Sequence, residues 1–144
     1  MLSNVISLHL FVPEIALTTG ILLLLVWDMA FLKLRRGPAA FITLAALACS
    51  AVVTLMTGSG ASLELFNGLI VRDGFADFFK LFFHAVTAII VVVSLRARDA
   101  IDYTDGQDRE APELFAMLLT LNLGMNLMAS ANDLLMAYVS LEMV

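Results

Sequence analysis

The chain has 144 residues, 61% of them hydrophobic and 15% charged, with a formal net charge of -5 at pH 7 and a mean hydropathy of +0.96. Soluble domains are about 45 to 50% apolar and about 25% charged, so this composition points to lipid as the solvent. The acids cluster in one stretch around Asp99, Asp102, Asp105, Asp108, Glu110 and Glu113, no basic surface exists, and nucleic acid is excluded as a partner.

The first apolar run covers residues 11 to 32. Pro13 and Glu14 suit its first turn, where a proline loses no helical bond and an acid meets the positive end of the helix dipole. No basic residue precedes Lys33, so the run lacks the basic flank of a secretory signal and is expected to stay in the mature protein. Asp28 near its far end is read as an interfacial partner of Lys33 and Arg36. The second run, 38 to 57, carries no charge; Cys49 within it has no second thiol to pair with and is read as a small packing residue. Between the second and third runs lies LELFNGLIVRDG, where two short β-prone segments flank Asn67-Gly68. That dipeptide predicts a type I′ turn and a small hairpin on the outer surface.

The third run spans 74 to 95 and begins near Asp73. Asp77, Lys80 and His84 fall at i, i+3 and i+7 and form one polar stripe. Lys80 can snorkel toward the interface or pair with Asp77 one turn away. The connection from Arg96 to Pro112 is polar and solvated. The fourth run, 113 to 129, carries Asn122 and Asn126 on one face and the small-residue pair Thr120 and Gly124. The asparagines either bond between helices or line a hydrated path, and Lys80 and His84 join them as candidates for that path.

The fifth run, 133 to 144, begins at Asn132 or Asp133, either a good N-cap. The short break before it makes the fourth and fifth helices antiparallel neighbours. Its dozen residues are about half a span, since crossing a core of about 30 Å takes about 20 helical residues. Glu142 stands nine steps from Asp133, about 13.5 Å of helical rise, near the membrane midpoint. An acid at that depth faces a bundle interior or water cavity and marks an ion or proton path, or it serves as a protonated group bonding two helices.

The fold class is therefore all-α integral membrane: four transmembrane helices, the first half of a fifth, and an outer hairpin. Lysine and arginine are concentrated after the first and third helices, and the other side has only Arg72, which places the N-terminus outside. Trp27 and Tyr103 fall near the inner boundary as interfacial aromatics. No CxxC, glycine-rich dinucleotide loop, or haem or iron-sulfur ligand set occurs, so no cofactor or metal is expected in this chain.

The stretches LFNGLIVRDGFADFFKLF and MASANDLLMAYVSLEMV resemble subunit N of bacterial NADH:quinone oxidoreductase, respiratory complex I, within the antiporter-like proton-pumping subunits. The resemblance is weak over the first two helices and strong from Leu63 onward. It implies an N-terminal fragment of a subunit of about fourteen helices with inverted repeats, in the bacterial inner membrane among other complex I membrane subunits. It also implies that Glu142 matches a fifth-helix glutamate that pairs with a lysine on a broken seventh helix, beyond Val144. Lys80 stands on the third helix and is not one of the family's buried lysines. The alternatives are a related cation/proton antiporter or ferredoxin-linked relative, and a purely structural membrane module.

Overall fold

The computed structural model describes residues 11–31, 36–58, 63–66, 68–99 and 111–144. Among the described residues, five helices and one hairpin follow in chain order: α1 Val12–Phe31, α2 Arg36–Thr57, β1 Leu63–Leu65, β2 Ile70–Arg72, α3 Gly74–Asp99, α4 Ala111–Ser130 and α5 Leu134–Met143. The first four helices are long and apolar enough to span a membrane, and α5 is a shorter apolar helix. Tyr103 and Lys33 lie outside the described residues, and so does the pairing read for Asp28.

Local chemistry sets the helix starts. The chain's three prolines, Pro13, Pro38 and Pro112, each fall in a first helical turn, where no intrahelical hydrogen bond is lost. Asp73 caps α3, its Oδ1 accepting from the Ala76 amide at 2.7 Å. Asp133 is the N-cap residue of α5 with extended backbone but gives no side-chain cap bond. Its neighbour Asn132 is engaged elsewhere, donating from Nδ2 to the Gly68 carbonyl at 2.8 Å.

Packing makes α4 the centre of the bundle. It touches α1, α2, α3, α5 and β2, while α1 also packs on α2, and α2 on α3. Half of the α4 span is buried, against a third or less for the other three. Leu17, Leu24, Leu47, Val91, Phe115 and Leu119 form the apolar core. Leu22, Val26, Phe41, Leu55, Phe78 and Ile89 point outward, the arrangement expected where lipid replaces water. Cys49 is exposed, so it belongs to this outward apolar surface and not to the interhelical packing expected of it. Two glycines let helices touch. A Cβ on Gly20 of α1 would stand 2.5 Å from the Ala46 Cβ of α2, and one on Gly124 of α4 would stand 2.9 Å from the Met143 Cβ of α5. The second contact bears out the close approach read from the small-residue pair in α4.

The hairpin forms, antiparallel, with Leu63 opposite Arg72, Glu64 opposite Val71 and Leu65 opposite Ile70. Its turn differs from the two-residue type I′ loop. Pairing closes at Leu65 and Ile70, leaving four residues in the loop, with positive φ at Phe66 (52°) and Gly68 (87°). Tertiary contacts explain the difference. Phe66 packs edge-on against Phe11, ring centroids 5.5 Å apart, and Ile70 forms an antiparallel bridge with Ala131. The hairpin is thus fastened to the start of α1 and to the break between α4 and α5, and these contacts outweigh the local turn preference.

Candidate functional site: a buried polar stripe on helix α3

The predicted stripe on α3 is real and one residue longer than the sequence suggested. Asp77, Lys80, His84 and Thr87 follow at i, i+3, i+7 and i+10, and each meets a different element. Asp77 Oδ1 accepts from Arg72 Nε of β2 at 3.0 Å. Lys80 Nζ donates to Glu14 Oε1 of α1 at 2.6 Å. His84 Nε2 is 2.9 Å from Ser50 Oγ of α2, and Thr87 Oγ1 accepts from Asn122 Nδ2 of α4 at 2.9 Å. One helical face thereby ties the bundle together through four polar contacts, in a layer where unpaired polar groups are costly.

Lys80 neither snorkels nor pairs with Asp77. Asp77 is already taken by Arg72, whose Nη2 also donates to the Thr54 carbonyl at 3.2 Å. Lys80 is 3% exposed and Glu14 2%, so their ion pair is enclosed. Arg72 is itself buried and is not a free loop charge. Glu14 Oε2 is also buried and has no hydrogen-bond partner among the described residues.

His84 is buried and bonded at both ring nitrogens. Nδ1 meets the Lys80 carbonyl one turn earlier, and Nε2 meets Ser50 Oγ. Ser50 Oγ also lies 3.0 Å from the Pro13 carbonyl of α1. Other hydroxyls satisfy themselves within their own helices: Thr43 donates to the Ala39 carbonyl, Thr120 to Ala116 and Ser140 to Met136.

Asn122 makes the interhelical bond foreseen for it. Asn126 Nδ2 donates to Asn122 Oδ1 at 3.3 Å, and Asn126 Oδ1 is a second buried acceptor without a partner among the described residues. Lys80, His84, Asn122 and Asn126 therefore share one stretch of bundle interior, linked along α3 by Thr87.

Glu142 stands apart from this group. Ser140 is buried and Met143 packs at Gly124, whereas Glu142 is exposed and makes no hydrogen bond or ion pair with a described residue. Gly124 lies six residues before the end of α4 at Ser130, about 9 Å of helical rise. Glu142 therefore sits near the depth of Asn122 and Asn126, on a side of α5 that none of the described helices covers.

Glu14, Ser50 and Thr87 were missed by sequence reasoning as members of the site. Glu14 alone carried a usable signal: with helices α1 and α3 entering from the same end, a buried lysine two turns into α3 has an acid at matching depth in the first turn of α1.

Comparison with known proteins supplies the remaining context. No family model matches the chain. It is 40% identical over 146 residues to NADH-quinone oxidoreductase subunit N 2 of Sorangium cellulosum, a match that covers 99% of this chain and 29% of that protein. It is 42% identical to NADH-quinone oxidoreductase subunit N of Anaeromyxobacter sp., over 98% of this chain and 26% of that one. Against subunit N of Dehalococcoides mccartyi the identity is 31%, over 94% and 27%. The chain thus spans between a quarter and a third of the length of these curated relatives. With four membrane-spanning helices and matches along nearly its whole length, this chain belongs to the subunit N family of NADH-quinone oxidoreductases.

Proposed function

We propose that the chain serves in a membrane subunit of a proton-pumping NADH:quinone oxidoreductase and takes part in proton translocation coupled to quinone reduction. The observation that carries this reading is the identity of 40% to a subunit N over 99% of the chain, joined to a bundle whose interior holds an ionisable polar stripe. Redox chemistry is left to other subunits of the complex. The outward apolar faces meet those partners and lipid, in a bacterial inner membrane.

In this reading Glu142 is the acid of a charge switch. An exposed carboxylate within a helix layer is costly in hydrocarbon, and a lysine supplied by a neighbouring helix relieves that cost by pairing with it. Glu142 in turn modulates the charge of that lysine. Asn122, Asn126, Lys80 and His84 supply polar groups along the adjoining interior path.

Inside-out vesicles containing the complete complex test the assignment. NADH is expected to drive internal acidification that is lost when the gene for this subunit is deleted and regained on its return. Acidification driven by reduced ferredoxin and not by NADH, or unchanged by the deletion, contradicts it.

A further inference from the structure

The group formed by Glu14, Lys80, His84 and Ser50 contains one ionisable residue more than neutrality requires. Glu14 and Lys80 form an ion pair at 2.6 Å and offset each other. His84, 4% exposed, is added to a pair already balanced, and its hydrogen-bond partners can be satisfied in either protonation state of the ring.

The donor and acceptor inventory shows how. A carbonyl oxygen only accepts, so the contact with the Lys80 carbonyl requires a hydrogen on His84 Nδ1. At the other nitrogen, Ser50 Oγ lies 2.9 Å from Nε2 and 3.0 Å from the Pro13 carbonyl, and a serine hydroxyl has a single hydrogen to give. With Nε2 bare, the hydroxyl donates to Nε2. With Nε2 protonated, the ring donates to Ser50 Oγ and the hydroxyl turns to the Pro13 carbonyl. Both states are hydrogen-bonded with every heavy atom in place.

The charged groups nearest the ring form two ion pairs. From α1 the ring environment includes Glu14, whose Oε2 is a buried acceptor without a partner among the described residues. From α3 itself come Lys80 and, farther along, Asp77, which is engaged by Arg72 of β2. The groups offered by α2 and α4 are Ser50, Thr54 and Asn122, none of which ionises in this range.

We propose that Glu14, Lys80, His84 and Ser50 form a proton-holding site inside the helix layer, at which His84 takes up and returns one proton on Nε2 while the Ser50 hydroxyl turns between Nε2 and the Pro13 carbonyl. The proton comes from water and returns to water; an N–H bond forms on uptake and breaks on release, and no electron moves. The proposal rests on the reading of Lys80 and His84 as members of the interior polar path, while its readout is separate from the role proposed for Glu142.

Solid-state NMR of the full-length subunit in lipid, with histidine labelled by nitrogen-15 and lysine carbonyls by carbon-13, reads the site directly. The ring nitrogen coupled to a lysine carbonyl identifies His84. On lowering the pH from about 8 to about 5, where imidazoles change charge, Nδ1 is expected to stay protonated while the bare-nitrogen signal of Nε2 is lost and a protonated one replaces it. Ser50→Ala should abolish this exchange over the same range, Ser50→Thr should keep it, and Glu142→Gln should leave it unchanged. A ring held in one charge state throughout, a bare Nδ1, or an undiminished exchange in Ser50→Ala overturns the proposal.

Discussion

A carboxylate and an ammonium 2.6 Å apart, 2% and 4% exposed at their side chains, stabilise a fold only as a pair. Removing one partner of such a pair costs about 3–5 kcal/mol, because the other charge is left buried and uncompensated. Glu14→Gln and Lys80→Met are therefore each expected to destabilise the subunit by about that amount. The double variant should be markedly less destabilised than the sum, as measured by thermal unfolding of the purified subunit in detergent. These contacts were partly legible in the sequence. The stripe of Asp77, Lys80 and His84 followed from helical spacing, but the partners did not. A first-turn acid such as Glu14 has a sufficient local explanation in the helix dipole, and its contact with Lys80 spans 66 residues of sequence, beyond any local pattern. Asp77 was the near candidate for Lys80 and lost it because Arg72, only five residues away, reaches it first.

Helix contacts depend on small residues at two crossings. Gly20 allows α1 to meet Ala46 of α2 so closely that an added Cβ would stand 2.5 Å from the alanine Cβ. The Gly20→Ala substitution is expected to force the helices apart at a cost of about 1–3 kcal/mol, seen as a lowered unfolding temperature. Asp73→Ala removes the side-chain cap of α3 and should cost about 1 kcal/mol, measurable in the same unfolding experiment as a smaller shift. The helices themselves were legible to within a few residues, because apolar runs bounded by Pro, Gly and Asp set both their lengths and their starts. The turn of the hairpin was not. Asn67-Gly68 specifies a tight loop only when nothing else competes, and here Phe66 packs on Phe11 while Ile70 bridges to Ala131.

Across the bundle, buried polar groups lie beside the apolar core while further large apolar side chains cover the outside, the arrangement a lipid solvent demands. Cys49 reports on that surface. As an exposed thiol on the middle of α2, it should be labelled by a lipid-soluble maleimide in membranes and spared by a membrane-impermeant charged one. Equal labelling by both would contradict a lipid-facing α2. Composition alone made the lipid solvent legible, whereas the side of α5 on which Glu142 lies depended on Ser140 and Met143 packing against Gly124, a contact that spacing only hinted at.

The role proposed for Glu142 in proton translocation is tested by proton uptake per NADH oxidised, measured in vesicles carrying the full-length subunit within its complex. Glu142→Gln and Glu142→Ala should both depress that yield well below wild type, with NADH oxidation by an artificial acceptor unchanged. Wild-type proton yield in either variant would contradict that role.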